Sequence, residues 1–138
     1  MANGTIAFDT LSTSDSVNTG TEKSIDTSYL LNGSCKAWAN YTGITNTTAR
    51  DTFNVSSLTD NATGKTTITL SNNMNNDDYS GFYYNSGTTS TGYENFDNHY
   101  TGGFGTFNTS DFSQASYGGT AGYRDVTRNF TGIIGDLA

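Results

Sequence analysis

The sequence predicts an all-β fold, and three observations carry that prediction. Thr, Ser, Asn and Gly make up about half of the 138 residues, and proline is absent. Thr suits a pleated strand, while Asn and Gly supply tight turns. Aromatic residues reach 13 %, nine of them Tyr, and recur at short intervals along the chain. That recurrence argues for a packed core, although Leu, Ile, Val and Phe together fall below the roughly 20 % that with high net charge accompanies disorder. Finally, several short segments alternate apolar with polar residues, and none sustains a helical period long enough for a long helix or coiled coil.

Along the chain, Thr5 to Phe8 reads as a first strand, followed by a polar loop or arm from Ser12 to Thr21. Asn32-Gly33 marks a turn before Lys36-Ala37-Trp38-Ala39-Asn40-Tyr41. There Trp38 points one way and Ala37, Ala39 and Tyr41 the other, which predicts a strand with apolar groups on both faces. Phe53-Asn54-Val55 and Thr66 to Leu70 flank a turn-rich stretch from Thr59 to Gly64. With Phe53 and Val55 on one face and Ile68 and Leu70 on one face, the pair predicts an antiparallel hairpin. Asn72 to Asp78 is an Asn/Asp-dense loop that leads into an aromatic strand, Tyr79 to Tyr84. Beyond it the aromatics sit among glycines without clear spacing. Ser110 to Gln114 is expected to form one helical turn. A strand around Arg124 to Phe130 and an apolar tail, Ile133 to Leu137, close the chain.

Charge and composition bear on function. A net charge of −7 with six basic residues, none of them clustered, argues against nucleic acid as a partner. No apolar run is long enough to insert into a membrane, and Met1 to Phe8 lacks the regions of a signal peptide. With a single cysteine, Cys35, no intrachain disulfide forms, which fits synthesis in a reducing cytoplasm. Without a signal peptide, the Asn-x-Ser/Thr triplets at Asn40, Asn54, Asn61 and Asn129 are expected to arise by chance in a chain this rich in hydroxyl residues.

The parts for catalysis are few, and no cofactor is expected. Cys35 and His99 are the sole candidates for a thiol nucleophile and its base, and a small buried thiol accounts for Cys35 as well. Paired carboxylates for sugar hydrolysis remain the enzymatic alternative, since Asp is common. Zinc spacing is missing. The loop from Asn73 has Asp78 and Tyr84 where a calcium loop places Gly and Glu, so a solvated turn is the expectation there. Tyr83, Tyr84, Tyr93 and Tyr100 are the candidate binding surface, because Tyr among small polar neighbours makes contact area at low entropy cost, against protein or against sugar rings. The alternative is that they are simply core.

Three blocks of the chain carry a resemblance: Ala2 to Leu11, Gly33 to Gly43 (Gly-Ser-Cys-Lys-Ala-Trp-Ala-Asn-Tyr-Thr-Gly), and Arg50 to Gly64 with the strand and Asn-rich loop that follow to Tyr79. Over residues 2–84 the sequence resembles short virion proteins of marine, especially cyanobacterial, phages and C-terminal domains of phage tail fibres. Residues 85–138 depart from that pattern. The resemblance implies a small antiparallel β-sandwich, jelly-roll-like, often a homotrimer and without enzymatic activity. Residues 1–24 are then an extended N-terminal segment for assembly, with Ile6, Phe8 and Leu11 touching another subunit, and 25–138 are the sandwich domain. The expected partners are further copies of the chain and the major capsid or tail proteins of the virion. A tail-fibre role contacting host surface glycan is the alternative. A chain so short of aliphatic residues is expected to be stable mainly in company.

Overall fold

A computed structural model of the chain describes residues 10–12, 24–44, 47–86, 100–118 and 122–137. The chain divides into two compact units, Met1–Ser34 and Cys35–Ala138. In the first, β1 (Thr10–Ser12) pairs antiparallel with β2 (Ser24–Asp26), Leu11 opposite Ile25. A seven-residue helix, α1 (Thr27–Gly33), follows directly and takes up the expected turn at Asn32-Gly33. The sequence did not lead us to expect α1. The boundary anticipated after residue 24 falls inside β2, whose ladder to β1 keeps it with the first unit. The expected strand from Thr5 to Phe8 lies outside the described residues.

The second unit is an antiparallel β-sandwich, as expected. Its strands are β3 (Cys35–Thr42), β4 (Thr48–Phe53), β5 (Val55–Ala62), β6 (Lys65–Leu70), β7 (Ser80–Ser86), β8 (Tyr100–Phe107), β9 (Asp111–Gly118) and β10 (Arg128–Ile134). One sheet has the order β4-β3-β10-β7 and the other β5-β6-β9-β8. As in a jelly roll, the unit's first and last strands pair (β3 with β10), whereas β3-β4, β5-β6 and β8-β9 are local hairpins within one sheet.

Alternation explains which side chains go inside. On β6 Thr66, Ile68 and Leu70 are buried, and on β3 Ala37, Ala39 and Tyr41 are buried with Trp38 on the opposite face. The core gathers Ala37 and Ile133 from one sheet and Ile68, Leu70 and Phe112 from the other, together with Met74 and Tyr79 from the connecting loop. Beside Ala39 and Val126, the rest of the interior holds buried polar groups. Tyr41 Oη donates to Gln114 Oε1 at 3.0 Å, Gln114 Nε2 donates to Asn85 Oδ1 at 2.9 Å, and Ser116 Oγ donates to Asn129 Oδ1 at 2.9 Å. Hydrogen bonding is what lets these groups be buried at tolerable cost.

Four expectations are corrected. Phe53 and Val55 do not share a strand face, because Asn54 between them adopts φ 54° and turns the chain from one sheet to the other. The Asn54 amide holds this corner: Nδ2 donates to Lys36 O at 3.0 Å and Asn72 O at 3.2 Å, and Oδ1 accepts from Asn72 N at 2.8 Å. Asn is among the few residues that tolerate the left-handed conformation. The turn expected over Thr59 to Gly64 shrinks to Thr63-Gly64, since β5 continues to Ala62, opposite Lys65. The helical turn expected at Ser110 to Gln114 is instead the start of β9, where Phe112 and Gln114 point inward between β6 and β8. The closing strand expected over Arg124 to Phe130 begins at Arg128 and runs to Ile134, pairing with β3 and β7.

Candidate functional site

The outer faces of the two sheets differ in chemistry. On the β5-β6-β9-β8 sheet the outward positions include Ser57, Thr59, Thr67, Thr69, Ser113 and Ala115, opposite one another across the ladders. The same wet face also carries Lys65, Asp111 and the exposed Tyr117, whose ring meets Tyr123 edge-on at 5.6 Å, with Lys65 Nζ 4.1 Å from the Tyr123 centroid. On the β4-β3-β10-β7 sheet, one cross-strand row reads Phe53, Trp38, Gly132, Phe82, and the next reads Asp51, Asn40, Phe130, Tyr84. Register puts five aromatic side chains on one side of four adjacent strands. Phe53, Phe82, Tyr84 and Phe130 are exposed, and Trp38 is half-buried.

Three of these rings lie against one another. Trp38 and Phe130 lie 6.5 Å apart between centroids with planes 22° apart, and Phe82 and Phe130 lie 6.2 Å apart at 30°. Gly132 makes this possible: a Cβ there would stand 2.3 Å from Phe82 Cζ, so the ring rests on bare backbone of the central strand. The result is a low platform of similarly inclined rings.

Two of the four candidate tyrosines, Tyr83 and Tyr84, lie on opposite faces of β7. Tyr84 belongs to the platform, but Tyr83, its neighbour on β7, points to the opposite face, where its ring meets Phe104 edge-on at 5.7 Å. Tyr100 lies at the start of β8, and Tyr93 lies outside the described residues. Of the expected assembly contacts, Leu11 sits on β1, while Ile6 and Phe8 lie outside the described residues. Sequence reading missed Phe53, Phe82, Phe130 and Trp38 as a group. The only available signal was that each is an aromatic with a different parity from its buried neighbours, and that becomes a site once the strand order is known.

Other parts of the unit have structural partners. Cys35 Sγ donates to Ala37 O at 3.2 Å, and His99 lies outside the described residues. The Asn/Asp loop is pinned by Met74 N donating to Thr109 O and Asn75 N donating to Asp136 O, with the Met74 side chain in the core. Burial is the first cause that raises the Tyr79 hydroxyl to about 12, with Asp111 and Asp77 adding to it; that hydroxyl donates to Asn108 O and Asp111 O. Burial likewise pushes Tyr41 well above the usual phenol range. Among the described residues there is no group of three or more His, Cys, Asp or Glu placed to hold a metal ion, and no helix long and apolar enough to cross a membrane. A shallow groove between the edge strands β4 and β5 is lined mainly by Thr47, Thr48, Thr52, Ser56 and Ser57.

Comparison with protein-family models, curated proteins and solved structures finds no match to this chain.

Proposed function

We propose that this chain is a non-enzymatic structural protein of a phage particle. It sits on the particle surface as capsid decoration, a knob or a short head fibre, and docks there as a homo-oligomer. The observation that carries this reading is the set of exposed aromatic side chains that register gathers on the outer face of the β4-β3-β10-β7 sheet. An exposed aromatic face on a small domain is a contact surface. The assignment to phage rests on the resemblance of residues 2–84. The trimeric state, the virion location and the capsid or tail partner belong to the same proposal.

The second reading is a tail-fibre tip that binds host surface glycan. It is favoured by the near-parallel Trp38 and Phe130 rings beside the exposed Tyr84, a platform on which a sugar ring can lie. One experiment separates the two. Purified particles are labelled with antibody to this chain, viewed by electron microscopy, and the copy number is measured by quantitative mass spectrometry. Label over the head at high copy number supports decoration, and label at the tail at low copy number supports attachment. Particles free of the protein overturn both.

A further inference from the structure

We infer that the aromatic outer face of the β4-β3-β10-β7 sheet is the surface by which one copy of this chain binds a second copy. The inference deepens the proposed homo-oligomer by giving it an interface, and it is tested on purified protein, so its failure is separable from failure of the phage assignment.

The argument begins with area. Phe53, Phe82, Tyr84 and Phe130 are 53 %, 42 %, 58 % and 40 % exposed. At roughly 150–250 Å² per aromatic side chain, they leave about 300–480 Å² of ring surface open to water. A stable interface removes about 800 Å² from each partner, with the apolar part at its centre and a polar rim around it. The platform therefore supplies about half of what one partner needs, in the position where an interface concentrates its aromatic anchors. Asn40, Thr42, Ser80 and Asp51 on the same face surround it with small polar groups suited to the rim.

Charge selects the occupant. A chain of net charge −7 repels its own copies, so the contact between copies must be locally neutral. Among the paired outward positions of this sheet the charged residues are Asp51 and Arg128, one of each sign. Asp60, Asp77, Asp78, Asp111, Asp125 and Asp136 all lie elsewhere in the sequence, off these positions. Lys36 and Arg50 lie at the register shifts of β3 and β4, so the strands of this sheet present no excess of acidic groups to a second acidic copy. Ring chemistry points the same way. Three of the five aromatics are Phe, which fill a protein contact but give a sugar hydroxyl no hydrogen-bonding handle.

The chain carries its own probe, because its single tryptophan, Trp38, stands in the platform beside Phe130. The full chain is examined by sedimentation velocity from about 1 to about 100 μM, with Trp38 emission recorded on the same dilutions. The expected result is an oligomer that dissociates on dilution while Trp38 emission moves to the red. Phe130→Asp should weaken association at least about 30-fold, as for the loss of a central anchor. Phe130→Ser, checked for native circular dichroism, should act in the same direction, and Thr67→Asp on the outer face of the other sheet should change it less than about 2-fold. Four outcomes overturn the inference. They are a monomer throughout, dissociation that leaves Trp38 emission unmoved, and an oligomer lost on deleting residues 2–11 but kept in both Phe130 variants. The fourth is a monomer whose Trp38 emission shifts only on adding host envelope polysaccharide, which assigns the face to glycan.

Discussion

Gly64→Ala should be among the most damaging single-methyl additions in the sandwich, and the structure separates its cost into two parts. Gly64 closes the β5-β6 turn with φ 66°, the left-handed region in which a Cβ costs roughly 1–2 kcal/mol. A Cβ there would also lie 2.7 Å from three backbone atoms, Arg124 N, Arg124 O and Ser116 O. Those atoms are not free to retreat. Ser116 N donates to Gly64 O at 2.7 Å, Arg124 N donates to Ser116 O at 3.0 Å, and Gly64 N donates to Asp125 Oδ1 at 2.6 Å. Forcing a methyl group into fixed surroundings adds roughly 1–3 kcal/mol. The total is about 2–5 kcal/mol, or a fall of roughly 1–2.5 M in urea midpoint for a slope of about 2 kcal/mol per M. Equilibrium unfolding followed by Trp38 emission measures it, at a concentration where association does not change. Gly122→Ala is the internal control: φ is 81° but, among the described residues other than its chain neighbours, no atom lies within 4 Å of the added Cβ, so only the backbone part, about 1–2 kcal/mol, should appear. If Gly64→Ala costs no more than Gly122→Ala, the steric half of the reasoning is refuted.

Two further predictions concern the corner and the buried phenols. Asn54→Ala should cost about 2–4 kcal/mol by losing the amide bonds to Lys36 and Asn72 and by placing Ala in a left-handed conformation; Asn54→Gly should recover the conformational part alone. Thermal or urea unfolding of the pair tests this, and equal losses in both would contradict it. Because folding raises Tyr79 from 10.0 to about 12 and raises Tyr41 further, the unfolded chain ionises first as pH rises. Stability should be full below pH about 10 and fall above it, by up to about 1.4 kcal/mol per pH unit for each of these two tyrosines until its folded value is passed. Absorbance titration of tyrosinate in the folded protein, with Tyr79→Phe as control, is the measurement. Ionisation of all nine tyrosines near pH 10 with the fold intact would remove the basis for the prediction.

Parity along a strand depends only on the backbone, which is why so much of the inside was legible in the sequence. The opposite directions of Trp38 and Tyr41, and the shared face of Ile68 and Leu70, follow from period-two alternation and are as the structure has them. Composition, together with short alternating segments and the lack of a sustained helical period, determined the all-β class. The corner at Asn54 was not legible, because Phe53-Asn54-Val55 has the same alternation whether the chain runs straight or changes sheet. Nor was β9: Ser110 to Gln114 has the local signature of a helix start, and the neighbouring strands β6 and β8 decide otherwise. The candidate surface shows the same limit. Sequence pointed to Tyr83 and Tyr84 together, and alternation put them on opposite faces. Phe53, Trp38, Phe82 and Phe130 come from four strands spread over residues 35–134, and their adjacency is a product of strand order and register. The sequence by itself determined that this chain would be a sheet protein with a thin apolar core. Only the tertiary structure decided which aromatics fill that core and which form an outer platform, because pairing between strands distant in sequence depends on the free energy of the whole sandwich.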